Sequence, residues 1–194
     1  MANAYGNRPA PWRGRRGRTH PRGVSLIELM VALAILAILA VVAVPSFVTT
    51  LQGARISNGV NALVGDLQLA RSEAMQRGLP VSVCVSSDGG TCSKRNTWQD
   101  GWIVFADDNG TGVLEEGEAV LRVRRALPGG DTFTAEPEAS AITYGRDGFA
   151  RNLQAGGVTL ALRTEPANAP LTRCVAVSQV GRQIIVSSGV GQCV

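Results

Sequence analysis

The side chains able to do chemistry are few, and their distribution limits what the chain can do. Its 194 residues contain one histidine, His20, which stands in the first twenty-three positions. A Ser-His-Asp or Cys-His nucleophile in the rest of the chain would have no imidazole base, and histidine-based zinc sites are closed to it. Four cysteines, Cys84, Cys92, Cys174 and Cys193, show no CxxC spacing. An even number without metal-ligand spacing reads, in an exported domain, as two disulfides. Cys84 and Cys92 flank the turn-forming run Ser86-Ser87-Asp88-Gly89-Gly90, and Cys193 could pin the last residues to a strand carrying Cys174. Those two local bridges are the simplest of the three connectivities that four cysteines allow. No carboxylate pair has a spacing that ties it to a cleft, so the chain reads as a non-enzyme.

One acidic segment invites comparison with a metal site. Residues 107–118 read DDNGTGVLEEGE. Against the calcium loop D-x-[DN]-x-[DN]-G-x5-E, Asp107, Asn109, Gly112 and Glu118 fit, Thr111 replaces the third ligand, and Glu115 takes the position that often acts through water. The flanks look like strands rather than helices. A solvated acidic hairpin loop is therefore the preferred reading, with calcium as the alternative and no other cofactor implied.

The net charge of +4 suggests a nucleic-acid partner until it is divided along the chain. The first twenty-three residues hold Arg8, Arg13, Arg15, Arg16, Arg18 and Arg22 and no acid, whereas the remainder has thirteen basic against fifteen acidic residues, a net −2. The basicity belongs to the leader. Residues 24–44 then read VSLIELMVALAILAILAVVAV, with Glu28 as the one charge. At ~1.5 Å per residue such a helix covers the roughly 30 Å of a bilayer's hydrocarbon core. The arginine-rich flank keeps residues 1–23 cytoplasmic and sends everything after Pro45 across the membrane, toward an oxidising compartment.

A secretory signal would have a shorter apolar run followed by a small-residue cleavage site. Instead Gly23 lies at the junction of charged and apolar sequence. The run Arg22-Gly23-Val24-Ser25-Leu26-Ile27-Glu28-Leu29-Met30 resembles the class III signal of type IV pilins and pseudopilins. The resemblance implies cleavage between Gly23 and Val24 by a prepilin peptidase, which then methylates the Val24 amine. The family favours Phe where Val24 stands. Glu28 and Pro45 occupy family positions as the fifth and twenty-second residues after the cut. A carboxylate in lipid is costly without a partner. By resemblance, Glu28 engages the free amine of a neighbouring subunit and sets the stagger between them. Pro45 removes a helical hydrogen bond and is expected to kink the helix.

Over residues 45–78, Ile56, Val60, Leu63, Leu67, Ala70 and Ala74 recur at steps of three and four, with Arg55, Asp66, Arg71 and Glu73 expected largely elsewhere. This amphipathic continuation should end near Arg77-Gly78-Leu79-Pro80, where glycine caps and proline forbids more helix. Beyond it, over 79–194, short runs of β-type residues at 81–85, 102–106, 119–123, 141–144, 158–162, 174–177 and 183–186 are separated by turns. The expected class is α+β: a long N-terminal helix, half transmembrane and half amphipathic, packed on an antiparallel sheet or sandwich.

This part resembles the GspH/FimT group of minor pilins and pseudopilins. The residues carrying the likeness are Val81-Ser82-Val83-Cys84-Val85-Ser86 with Cys92, then the run from Trp98 to Asp107, then Val120-Leu121-Arg122, then Val180-Gly181-Arg182. The resemblance implies a structural subunit that helps initiate or cap a type IV pilus or type II secretion pseudopilus. It would sit as a single-pass protein of the bacterial inner membrane with its globular part in the periplasm. Its partners would be other pilin-like subunits and the prepilin peptidase. The alternative is a DNA-binding minor pilin of natural transformation, with Arg182, Arg173 and Arg124 as contacts, because phosphates need clustered cations. FimT-type pilins carry a Gly-Arg-x-Arg motif, whereas here Gly181-Arg182-Gln183 is followed by Ile184.

Overall fold

A computed structural model describes residues 23–193. Residues 1–22 of the expected leader 1–23 lie outside them, and with them the expectation of a cytoplasmic segment. One helix, α1, runs Leu26–Arg77 with Pro45 inside it. The chain divides into two compact units at this proline, Met1–Val44 and Pro45–Val194.

In the first unit every described side chain is exposed. This part of α1 supplies the one stretch among the described residues long and apolar enough to cross a membrane. Glu28 sits in the first turn, where the positive end of the helix dipole favours an acid.

In the second unit α1 stops where expected. Gly78 adopts a φ of 69°, a left-handed value that glycine reaches without steric cost, and its N–H donates to the Ala74 carbonyl at 3.0 Å. Among the described residues nine strands follow: β1 Val81–Val85, β2 Gly101–Ala106, β3 Val120–Arg125, β4 Thr132–Glu136, β5 Ala141–Tyr144, β6 Ala150–Arg151, β7 Val158–Arg163, β8 Arg173–Val177 and β9 Gln183–Ser187. They form two antiparallel sheets, a five-stranded one in the order β3-β2-β1-β5-β6 and a four-stranded one in the order β4-β7-β8-β9. Strands β4 and β6 were not expected from the sequence.

The helical stripe Ile56, Val60, Leu63, Leu67, Ala70 and Ala74 is buried in one core with residues of both sheets, Val83, Trp102 and Val104 from the first and Phe133, Leu160 and Val175 from the second. Trp102 and Phe133 meet edge-to-face at 6.4 Å between ring centroids, joining the sheets. The first sheet is covered on its other side as well. Cys84, Ile103 and Phe105 pack there against Cys92 and Leu114, which explains why β2 is buried at every position. On the second sheet the C-terminal tail lies over Ala161 and Cys174.

Candidate functional site

The N-terminal assembly residues are simple in geometry. Gly23 and Val24 are exposed and precede the helix, and a Cβ added at Gly23 would meet no atom within 4 Å. Glu28 is exposed and makes no hydrogen bond or ion pair among the described residues. It stands beside Ile27, Val31, Ala32 and Ile35 on one apolar helix face.

The cysteines are joined as Cys84–Cys92 and Cys174–Cys193, with Cα separations of 5.6 and 5.7 Å, and no described cysteine is free. Within the first bridge, Asp88 accepts from the Gly90 and Thr91 amides, both at 2.9 Å, and from the Thr91 and Ser86 hydroxyls. These donors, led by the Gly90 amide, hold its carboxyl well below the usual carboxylate range.

The acidic loop 107–118 is closed by its own side chains. Asp107 is fully buried and accepts from the Thr111 amide at 2.9 Å, the Gly112 amide at 2.8 Å and the Ser82 hydroxyl, which also meets Thr143 at 2.6 Å. Glu118 accepts from the Asp108 amide at 3.2 Å and the Glu115 amide at 2.8 Å, and Asn109 donates to Glu115 at 2.9 Å. The Thr111 hydroxyl faces the Val113 carbonyl at 3.3 Å. Asp107, Asn109, Thr111 and Glu118 are therefore loop-closing groups. Among the described residues no three acidic, histidine or cysteine side chains converge as a metal cluster.

The arginines do not gather into one patch. Arg124 donates to Asp66 through Nε at 2.8 Å, Arg122 donates to the same carboxylate at 3.0 Å, and the Trp102 indole N–H completes the set at 3.0 Å. The hydrogen bond to Asp66 raises the Arg124 pKa above its ordinary value. Arg173 turns its guanidinium onto the carbonyls of Pro170 and Thr172 at 2.9 and 2.8 Å. Arg182 is exposed, with no side-chain partner among the described residues.

Asp66 corrects the sequence reading, which set it apart from the apolar stripe. It is wholly buried. The missed signal is its spacing: it lies three residues after Leu63 and four before Ala70, on the face of α1 that enters the core. Its burial requires partners, and the alternate residues of β3 supply two guanidiniums beside it.

Against this geometry, residues 59–181 match the family described as type II transport protein GspH. The chain belongs to the GspH family. Residues 18–44 also match the prokaryotic N-terminal methylation motif. The fold is similar to two crystal structures of the type IV minor pilin FimU of Pseudomonas aeruginosa strain PAO1. The form in space group P21 gives a TM-score of 0.55 at 22% identity over 71% of this chain and 93% of that one. The form in P65 gives 0.53 at 22% identity over 71% and 98%. The minor pseudopilin EpsH of the Vibrio cholerae type 2 secretion system aligns with a TM-score of 0.49 at 14% identity over 70% and 98%. No curated protein matches the chain. The chain is thus a GspH-family protein with an N-terminal methylation motif, and its fold is similar to that of FimU.

Proposed function

We propose that this GspH-family chain is a non-catalytic subunit of a pilus or pseudopilus fibre, held in the inner membrane before assembly with its sheet domain in the periplasm. The observation that carries this reading is the pairing of an apolar helical segment exposed along its described length with one carboxylate, Glu28, that has no partner among the described residues. A solvated surface would not tolerate that much apolar area, and lipid or other helices would cover it. The chemistry is electrostatic. Cleavage between Gly23 and Val24 creates an α-amine, methylation keeps it basic, and Glu28 neutralises the amine of a neighbouring subunit in a medium where either charge alone is costly. Initiation or capping of the fibre belongs to the same reading.

Gly23→Ala tests it. A Cβ at this position touches nothing among the described residues, so folding of the sheet domain should be unaffected. Mass spectrometry should find the variant retaining its leader and absent from sheared fibres, while the wild type begins at N-methylated Val24. Normal processing and incorporation of the variant would overturn the reading.

A further inference from the structure

The two sheets present four edges, and three of them are blunted. At β3 the edge strand carries Arg122, Arg124 and Arg125, two of them bonded inward to Asp66, and its register with β2 shifts between Val104 and Phe105. Inward charges and a bulge are both devices that discourage further pairing. At β4 side chains imitate a partner strand: Asn96 accepts from the Ala135 amide at 2.7 Å and donates to its carbonyl at 2.8 Å, and Gln99 accepts from the Phe133 amide at 2.9 Å. β6 is two residues long. The fourth edge, β9, reads QIIVS over five residues with no charge and no proline.

The ladder fixes which groups this edge offers. The Ser178 amide donates to the Arg182 carbonyl at 3.0 Å, and the Ser188 amide donates to the Thr172 carbonyl at 3.3 Å. Antiparallel alternation then directs the backbone of Ile184 and Val186 toward β8 and that of Gln183, Ile185 and Ser187 outward. No other strand among the described residues pairs there. Beside the edge, Ala176, Ile184, Val186 and Val190 line a cleft of about 460 Å³ with Arg182 on its wall. No acidic side chain lines this cleft, and Arg182 is the charged group on its wall.

We propose that β9 is a docking edge for an extended, acidic segment of a neighbouring fibre subunit, which adds as a fifth strand to this sheet. Backbone hydrogen bonds to Gln183, Ile185 and the Ser187 amide hold the strand, the Ser187 carbonyl already accepting from the Val190 amide at 3.2 Å; alternate apolar side chains enter the cleft, and a carboxylate meets Arg182. A second copy of this chain fits less well, because pairing two β9 edges would bring cations together without an acid. Duplex DNA fits less well too, since Arg173 is already committed to carbonyls and a strand edge offers amides rather than a row of cations. That the strand comes from a subunit rests on the fibre reading above, but the edge can be tested without a fibre.

The full chain, solubilised in detergent, is titrated with a labelled peptide of alternating threonine and valine ending in two glutamates. Comparison probes are the same peptide with alternate amides N-methylated, a version ending in lysines, and a labelled duplex DNA. Saturable binding of the acidic peptide is expected, weakened about tenfold or more by N-methylation in one of the two alternating phases and by Ile185→Pro, which removes one outward amide from the edge. Arg182→Glu should reverse the preference toward the lysine peptide. If Ile185→Pro fails to fold, the N-methyl series on the wild type and the Arg182→Glu reversal carry the same comparison. No binding of the plain peptide, equal binding of the N-methylated forms, or binding of DNA in place of the peptide would overturn the proposal. In cells, Ile185→Pro should be processed normally yet enter fibres poorly. Gly23→Ala fails earlier, at processing, so loss of the edge and loss of the assembly reading are distinguishable.

Discussion

The two halves of α1 show how one helix serves two solvents. Before Pro45 its described apolar side chains are exposed, Leu26 by 77% and Ile38 by 69%, while beyond it Leu63 and Leu67 are at 0%. Each half also has a carboxylate among apolar residues. Glu28 has no partner among the described residues, whereas Asp66 is enclosed by Arg122, Arg124 and Trp102. A group satisfied inside its own chain contributes to folding. A group with no partner among the described residues adds nothing to that packing, and under the proposed assembly it is the one left for a neighbouring subunit.

The strongest way to break this contrast is to remove the partners of one carboxylate and the charge of the other. Arg122→Met with Arg124→Met leaves the Asp66 carboxylate buried with only the indole N–H as donor. Stranding a buried charge in this way costs about 3 to 5 kcal/mol. Urea unfolding should record that loss, and adding Asp66→Leu to the pair should restore much of it. Glu28→Gln should leave the unfolding free energy within about 0.5 kcal/mol of the wild type, as expected for a side chain outside any packed region. Its effect should appear instead in fibre incorporation. A large stability loss in Glu28→Gln, or none in the double arginine variant, would dissolve the distinction.

Alkaline titration separates the same two regions at moderate cost. Tyr144 lies in the core with its hydroxyl accepting from Gln183 Nε2 at 2.7 Å. Burial pushes its pKa from 10.0 up to about 12, partly opposed by the Gln183 hydrogen bond and the Arg71 charge. A group whose pKa is raised on folding contributes stability that is complete below its unfolded value and is lost as pH climbs to the folded one. The sheet domain should therefore weaken between pH 10 and pH 12, by roughly 2 kcal/mol at about 1.4 kcal/mol per pH unit, and Tyr144→Phe should flatten that slope. Helical circular dichroism from residues 24–44 in detergent should persist through the transition.

How much of this was legible in the sequence depends on the range of the interaction. The α1 stripe and its end at Gly78 follow from periodicity and local capping, and β1 and β5 follow from runs of β-type residues with turns beside them. The family motifs likewise lie in contiguous runs. β4 was illegible because TFTAE has a weak local pattern and its edge is completed by Asn96 and Gln99, far away in sequence. β6 is too short to leave a pattern. Asp66 was misplaced because a charge on a helix is ordinarily solvated, and only the fold brings two arginines of β3 to it. The openness of β9 is a relational fact as well: it emerges from which other edges are covered.

The smallest effect is also the one whose sign depends on position. Gly59 and Gly65 both lie within α1, and replacing glycine by alanine inside a helix gains up to about 1 kcal/mol from propensity alone. At exposed Gly65 a new Cβ meets nothing within 4 Å, so Gly65→Ala should stabilise by about that amount. At buried Gly59 the same Cβ would stand 2.8 Å from Leu162 Cδ2 and 3.2 Å from Leu127 Cδ1. Leu162 is 1% exposed and held within β7, so it has little room to retreat. Overpacking of this kind costs about 1 to 3 kcal/mol, which cancels or exceeds the propensity gain. Gly59→Ala should therefore be neutral to destabilising where Gly65→Ala raises the urea midpoint. Equal stabilisation by both would mean that α1 is not pressed against the second sheet at Gly59, and the contrast between its exposed and packed halves would lose its sharpest local support.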